Sequence, residues 1–274
     1  MSDSSSSYKA RIKRVIPAPI WTGARDLYIG VKHVTQWPMA TYHPWRRSSI
    51  NLLTQLKDVH KDQRCFIIGN GPSLKHSDLT RLGDEFTFGS NRIYLMFPEL
   101  GFTTTYFLSV NNLVIEQSAD EIRRLPIPKF LTWRARAYLQ PTDDTVFLYT
   151  TYTGRKFAKD ARERLWEGAT VTYVALQLAF HMGFNPVILI GVDHSFSTKG
   201  KPNTTVVSQG DDPDHFDASY FGKGFRWQLP DLDTSEIAYT MAREAYASDG
   251  RQILDATVDG KLTVFPKIDY DSLF

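Results

Sequence analysis

A short apolar run that ends in a glycine turn is the part of the sequence best suited to binding a ligand. The run FIIGNGPSL spans residues 66–74 and contains Gly69, Asn70, Gly71, Pro72 and Ser73. Glycine permits positive φ and a close approach of the backbone to a ligand. Ser73 or Ser77 can cap a following helix, whose unpaired N–H groups would then face an anion. The turn therefore predicts a site for a nucleotide or its phosphate, although an ordinary strand-to-helix turn has the same composition.

The turn matches neither of the two common nucleotide motifs. It is not GxGxxG, and no Lys-Ser or Lys-Thr follows the glycines as in a Walker loop. The usual NAD and ATP sites are accordingly not favoured.

Two histidines lie beside carboxylates and could move a proton. His194 follows Asp193 at the end of a second apolar run, and His215 lies in a loop with Asp211, Asp212, Asp214 and Asp217. Imidazole suits general-base work because its ordinary pKa is about 6.5. His215 is the candidate base, and His194 and Asp193 are the alternatives to it. An acidic loop of this kind is equally typical of a solvated surface, in which case His215 would be an ordinary surface histidine.

The same residues raise the question of a metal. Asp193, His194, Asp214 and His215 offer oxygen and imidazole ligands, but their spacing matches no ligand signature. We therefore expect no metal and no resident cofactor. If the protein instead transfers phosphate, we expect Asp193 and Asp214 to hold Mg²⁺. Asp193 can equally cap a turn.

The elements that position these residues alternate between strands and helices from Arg64 onward. Predicted strands cover residues 65–69, 86–89, 104–110, 130–133, 146–149, 187–192 and 253–256, and predicted helices cover residues 112–124, 171–182 and 235–248. Such alternation predicts an α/β fold with a doubly wound, mostly parallel Rossmann-like sheet. A shorter helix is predicted within residues 48–60.

Ligands of such sheets bind at the carboxyl ends of the strands. Asn70, Asn91 and Asn111 follow the first three strands, and Asp193 follows a later one. Residues 195–229 are polar, rich in Gly, Asp and Pro, and too long for a simple connection, so we expect them to form a lid over the site.

Composition indicates a globular, soluble chain. It has 274 residues, 42% of them hydrophobic, with no apolar run that could span a bilayer and no signal-peptide pattern at its start. The single cysteine, Cys65, lies in an apolar run and is expected to be a core residue. A cytoplasmic location is the resulting expectation.

The net charge of +2 is unevenly distributed. Residues 1–61 hold ten Lys or Arg against three Asp and no Glu. We predict an irregular basic N-terminal extension over residues 1–63, before a nucleotide-binding domain over residues 64–274. The extension could lie peripherally on an anionic membrane or pack on the domain or on a second subunit, as in a homo-oligomer. No motif indicates nucleic-acid binding.

The motifs together resemble a known family. They are FIIGNGPSL, FGSN at residues 88–91, YFLSVNN at 106–112, GATVTYVALQLAFHMGF at 168–184 and ILIGVDHSF at 188–196. This pattern resembles the domain of unknown function 115 family, which includes motility accessory factors and archaeal 6-hydroxymethylpterin diphosphokinases. The layout is also similar to that of single-domain bacterial sialyltransferases that use CMP-sialic acid. The resemblance begins at about Cys65 and leaves the basic extension outside.

The resemblance implies roles for particular residues. The residues that it places at a CMP site are Asn70, Gly71, Pro72, Ser73, Asn91, Asn111, Thr170 and Thr172. His215, within Asp214-His215-Phe216, falls where the sialyltransferases carry their general base. Those enzymes have tyrosines after the late strand that help the phosphate to leave, whereas this chain has His194, Ser195 and Phe196, with Tyr220 of the lid as a replacement.

The resulting functional expectation is a glycosyltransferase that moves a CMP-activated acidic sugar, sialic-acid-like or Kdo-like, to a glycan acceptor of the bacterial surface. Two alternatives remain open. One is a diphosphokinase that uses ATP and Mg²⁺, and the other is a nucleotide-binding protein without catalysis.

Overall fold

A seven-stranded parallel sheet organises the computed structural model, which describes residues 38–274. The strands in chain order are β1 Cys65–Ile68, β2 Thr87–Ser90, β3 Tyr106–Ser109, β4 Lys129–Thr132, β5 Thr145–Leu148, β6 Thr150–Thr151, β7 Leu165–Trp166, β8 Val187–Ile190, β9 Thr205–Val207, β10 Arg226–Gln228 and β11 Ile253–Asp255. The central sheet has the order β11-β8-β1-β2-β3-β4-β5. All seven predicted strands are present in it, and the α/β Rossmann-like class is confirmed.

The strand order creates one switch point. From β1 the chain adds β2, β3, β4 and β5 on one side, and then returns to place β8 against the other side of β1. In open α/β sheets the crevice at such a reversal is where ligands bind. The carboxyl ends of β1 and β8 therefore mark the expected site.

Helices begin and end close to the predicted positions. Those from Pro44 onward are α1 Pro44–Leu56, α2 Phe97–Leu100, α3 Asn112–Gln117, α4 Ala119–Arg124, α5 Val171–Met182 and α6 Leu232–Ala247. The predicted helix over residues 112–124 is divided at Ser118, whose backbone leaves the helical region. The helix predicted from Ser235 begins earlier, because Asp231 accepts a hydrogen bond from the Thr234 amide and caps it.

The core lies on both faces of the sheet. Cys65 and Ile67 of β1 pack in the cluster that contains α5 and α6, and Phe66 and Ile68, which point the other way, are equally buried. Burial on both faces is what allows a parallel strand to be apolar throughout. Cys65 is a buried core residue, as predicted, and burial raises the pKa of its thiol.

Helix α1 belongs to the same compact unit as the sheet. The chain divides into residues 1–44 and residues 45–274, so the α/β unit starts before the predicted boundary at residue 64. Leu53 is fully buried in the core cluster, and the Ser49 hydroxyl accepts a hydrogen bond from the Phe147 amide at 2.9 Å. Most of the predicted basic extension lies outside the described residues.

The predicted lid contains a small antiparallel pair of strands. β9 pairs with β10, and Gln117 of α3 fastens β10 by bonding both the amide and the carbonyl of Arg226 at 2.8 Å. Strands β6 and β7 form a second two-stranded sheet. Among residues 38–274, no helix is long and apolar enough to cross a bilayer.

Candidate active site at the carboxyl edge of the sheet

A cleft of about 280 Å³ opens at the switch point between β1 and β8. Its lining comes from the turns after β1, β2, β3 and β8, the start of α5, and the lid. The predicted residues that line it are Gly69, Asn70, Gly71, Asn91, Asn111, Thr170, Thr172, Asp193, His194, Asp214 and His215. Residues predicted from distant parts of the sequence therefore share one cavity.

The glycine turn serves close packing between β1 and β8. A Cβ on Gly69 would overlap the carbonyl oxygen of Gly191, and one on Gly71 would overlap the Asp193 carboxylate. The Gly71 amide bonds the Gly191 carbonyl at 3.0 Å, and the Ser73 amide bonds Asp193 at 3.1 Å. These two N–H groups are thus committed within the protein and are not free to bind an anionic ligand.

Pro72 and Ser73 lie behind the cleft, outside its lining. They begin a five-residue 3₁₀ helix, Pro72–His76, whose N-cap position is Gly71 and which has no side-chain cap. The expectation that Ser73 or Ser77 caps a helix at this point is therefore wrong. Ser73 instead donates its hydroxyl to Asp193 at 2.7 Å, so both carboxylate oxygens of Asp193 fasten the β1 turn to the end of β8.

Three asparagines line the cleft, and they differ in whether the amide nitrogen or the amide oxygen is left free for a ligand. The Oδ1 of Asn91 accepts from the Ser109 hydroxyl at 3.0 Å, and the Oδ1 of Asn111 accepts from the Leu113 amide at 2.9 Å as the N-cap of α3. Each therefore has its Nδ2 left as a donor. Asn70 is reversed, since its Nδ2 donates to Ser90 at 3.0 Å and its buried Oδ1 has no partner among residues 38–274. The cleft thus combines amide donors with a buried acceptor.

His215 is held in a fixed orientation by the lid. Its Nδ1 lies 2.8 Å from the buried carboxylate of Asp212, and its ring stacks on Tyr220 with centroids 4.1 Å apart. The Asp212 carboxylate also accepts from the amides of Asp214 and Phe221. No described residue bonds Nε2 of His215, so this nitrogen is the one that can take a proton from a bound molecule.

Tyr220 is a support for His215. It is fully buried, burial raises the pKa of its phenol, and its hydroxyl accepts from the Arg92 amide at 3.3 Å. Arg92 also donates to the carbonyls of Ser219 and Tyr220. A side chain so enclosed has no face toward the cleft, which does not favour Tyr220 as the group that assists a leaving phosphate.

His194 lies in the turn after β8 and has one ring nitrogen engaged. Its Nε2 is 2.9 Å from Glu236 of α6, and its backbone has a positive φ of 55°. Both candidate histidines therefore have a carboxylate partner. They differ in that the carboxylate beside His215 is buried, whereas that beside His194 is exposed.

Asp214 holds the first turn of the lid. Its carboxylate accepts from the Ser197 amide at 2.6 Å and from the Thr198 hydroxyl at 2.9 Å. Burial alone would raise the pKa of Asp214, but these hydrogen bonds outweigh it and lower the pKa below its ordinary value of 3.8. Asp214 therefore stabilises the lid as a carboxylate.

Replacing Asp214 by alanine should lower the free energy of unfolding at pH 7 by about 1–3 kcal/mol, because the Ser197 amide loses its charged acceptor. A carboxyl whose pKa is lowered on folding stabilises the protein above its unfolded pKa and loses that effect as the pH falls through the folded pKa. The difference from wild type should therefore begin to shrink as the pH falls below 3.8 and continue to shrink through the lower pKa of the folded state. Urea unfolding at stepped pH measures this, and a constant difference down to pH 3 would refute it.

The start of α5 forms another wall of the cleft. Thr170 caps the helix by accepting from the Thr172 amide at 3.3 Å, and its hydroxyl lies 3.3 Å from that of Tyr239. The two residues before it, Gly168 and Ala169, both have positive φ. An alanine in that conformation is uncommon and turns the chain sharply into the helix at the cleft.

Glu167 lines the cleft just before this turn, and sequence reasoning did not identify it. Its Oε1 accepts from Arg134 and, at 2.5 Å, from the Thr150 hydroxyl. Arg134 also bonds Asn112 and the carbonyls of Thr150 and Val110. Burial alone would lower the pKa of Arg134, but the Glu167 carboxylate raises it, so the guanidinium stays charged. Arg134 is thus committed to Glu167.

Neither acidic residue of the metal alternative forms part of a ligand cluster. Among residues 38–274, no group of three or more His, Cys, Asp or Glu side chains is arranged to hold a metal ion. Asp193 and Asp214 each bond a neighbouring amide and hydroxyl instead.

Comparison with known proteins identifies the family. The model of the 6-hydroxymethylpterin diphosphokinase MptE-like family matches residues 42–199, which is more than half of the chain. The chain belongs to the MptE-like family. This confirms the resemblance found in the sequence, and the matched region includes the turn after β1, the start of α5 and the His194 turn. Among curated proteins, none matches the chain.

The fold of this MptE-like protein is similar to that of a motility-associated enzyme. The solved MAf glycosyltransferase from Magnetospirillum magneticum AMB-1 superimposes with a TM-score of 0.52 at 13% sequence identity. The alignment covers 84% of this chain and 39% of that one. The chain therefore spans about two fifths of that enzyme, and the likeness concerns the fold.

Proposed function

We propose that this MptE-like protein is a glycosyltransferase that transfers a CMP-activated acidic sugar, sialic-acid-like or Kdo-like, to a hydroxyl of a glycan acceptor. The observation that carries the proposal is the Asp212–His215 pair, which faces the cleft at the switch point of the sheet. A buried carboxylate on Nδ1 fixes the tautomer of the imidazole and leaves Nε2 as a proton acceptor. The MAf glycosyltransferase with the similar fold supports the same class of reaction.

The proposed step needs one proton acceptor and one stabilised leaving group. Nε2 of His215 takes the proton of the acceptor hydroxyl as its oxygen attacks the anomeric carbon. The bond between that carbon and the phosphate oxygen breaks, and CMP leaves with the electron pair. Attack opposite to the leaving group inverts the anomeric centre.

The leaving phosphate would be met by neutral donors. Asn91 and Asn111 have their Oδ1 atoms engaged and their Nδ2 groups available on the same cleft wall. The N-terminus of α5 adds a partial positive charge near Thr170. No resident cofactor enters this step.

Asn91→Ala and Asn111→Ala should each weaken CMP binding by about 10-fold or more, because a hydrogen bond to a charged group contributes about 1.5–3 kcal/mol. Calorimetric titration measures the loss. Asn111→Asp is the matched comparison, since it retains the helix cap while replacing the amide donor by a charge that repels phosphate. If Asn111→Asp bound CMP like wild type, the phosphate would lie elsewhere.

The diphosphokinase function is the second candidate, and the family match favours it. It would use ATP with Mg²⁺ at the same edge of the sheet. Thermal unfolding separates the two candidates: a ligand at 100 times its dissociation constant stabilises the folded state by about 2.7 kcal/mol. Stabilisation by CMP without a metal supports the glycosyltransferase. Stabilisation by ATP only with Mg²⁺, and none by CMP, would overturn it.

A further inference from the structure

We propose that Glu167 determines nucleotide specificity by accepting a hydrogen bond from the uncharged part of the nucleotide, through its free carboxylate oxygen. This inference rests on the proposed function, because it assumes that a nucleotide occupies the cleft. The group of the ligand that Glu167 would recognise is an N–H or O–H donor. Two groups of CMP outside the phosphate are such donors and are the candidates here: the exocyclic amine of the base and the 2′-hydroxyl of the ribose.

The first observation is the unequal use of the two carboxylate oxygens. Oε1 of Glu167 accepts from both Arg134 and Thr150, whereas no described residue donates to Oε2. The residue is 94% buried, with 6% of its surface exposed, and it lines the cleft. A carboxylate this buried normally has its hydrogen-bonding capacity satisfied, so the free oxygen is matched to a ligand.

The second observation is that the carboxylate is rigidly held. Arg134 is anchored by Asn112 and by two backbone carbonyls, and its guanidinium lies 4.5 Å from the Tyr152 ring. Two successive residues with positive φ then lead directly into α5. The position of Oε2 is therefore fixed before binding, which is the condition for discrimination between similar ligands.

The third observation is the charge of the cleft. Among the described residues that line the cleft there is no Lys or Arg. The lining includes four acidic residues, namely Glu167, Asp193, Asp214 and Asp231. Arg134 pairs with Oε1 of Glu167 from outside the cleft lining, so a phosphate or an acidic sugar next to Oε2 would meet a carboxylate oxygen and find no cation in the lining to bind. The neutral, donor-rich part of a nucleotide has no such penalty. Carboxylates accept well from the amine of cytosine and from ribose hydroxyls.

Binding of CMP, UMP and 2′-deoxy-CMP to the full chain tests the inference. UMP lacks the amine and 2′-deoxy-CMP lacks one ribose hydroxyl. Wild type should bind CMP about 10- to 100-fold more tightly than one of these two analogues, and the disfavoured analogue identifies the group that Glu167 accepts from. Glu167→Gln should reduce that ratio severalfold. Glu163→Gln removes a carboxylate that is likewise paired with a cation, Lys156, but is exposed and outside the cleft, and should keep the wild-type ratio.

The possible failures are distinguishable. If wild type binds all three nucleotides equally, the inference is overturned while the nucleotide site stands, and this result needs no variant. If Glu167→Gln folds and keeps the wild-type ratio, the residue is only structural and the inference is again overturned. If wild type binds none of the three, the proposed function fails and the inference fails with it.

Discussion

His215→Ala should lower the turnover of sugar transfer by about 10²- to 10⁴-fold, the usual contribution of a positioned general base. The affinity for CMP should remain nearly unchanged, because the imidazole acts on the acceptor hydroxyl and not on the nucleotide. Steady-state kinetics with calorimetry of CMP binding separate the two quantities.

Two further variants serve as controls for His215. Asp212→Asn keeps the imidazole but removes the carboxylate that orients it, so its turnover should fall between those of wild type and His215→Ala. His194→Ala removes a histidine whose Nε2 is already bonded to Glu236, and should have a much smaller effect. An inactive His194→Ala beside an active His215→Ala would move the base to the end of β8.

Gly69→Ala adds only one methyl group, yet it should clearly lower the free energy of unfolding. Its Cβ would overlap the carbonyl oxygen of Gly191 and lie 2.6 Å from the carbonyl carbon, so β1 and β8 must separate at the switch point. Forcing a methyl group into packed structure costs about 1–3 kcal/mol and occasionally more. We expect that loss in the free energy of unfolding, together with weaker CMP binding.

Gly210→Ala is the matched control for Gly69→Ala. A Cβ at this exposed lid position would meet nothing within 4 Å, so stability and binding should stay near those of wild type. Urea unfolding of both variants measures the difference. Equal stability of Gly69→Ala and wild type would show that the two strand ends can separate without cost.

The sheet was predictable because its strands are short apolar runs bounded by turn residues. Ile188 to Ile190 and Ile67 to Ile68 are buried on both faces, and such runs leave little ambiguity between strand and loop. The start of the α/β unit was less predictable. Helix α1 carries Arg46 and Arg47 and therefore resembles a solvated extension, yet Arg46 is buried and bonds the carbonyl of Arg162.

Part of the site was predictable, because residues that directly follow parallel strands lie together at one edge of the sheet. Asn91, Asn111 and Asp193 could be grouped because the carboxyl ends of parallel strands share an edge, whereas His215 of the lid was assigned from the resemblance. The partners of these residues could not be assigned in this way. Asp212 was one of four carboxylates around His215, and its selection depends on how the lid folds. Glu167 follows a two-residue strand, β7, that has no clear pattern, and only tertiary structure brings Arg134 to it.

Phosphorus NMR of the full chain tests directly whether the cleft transfers a sugar from a CMP donor. The protein is incubated with CMP-sialic acid or CMP-Kdo together with a glycan acceptor and, in a parallel sample, with ATP, Mg²⁺ and 6-hydroxymethylpterin. We expect release of CMP from a CMP-sugar at a rate that falls in His215→Ala, with no AMP formed from ATP. Formation of AMP and a pterin diphosphate, with the CMP-sugars left intact, would contradict it.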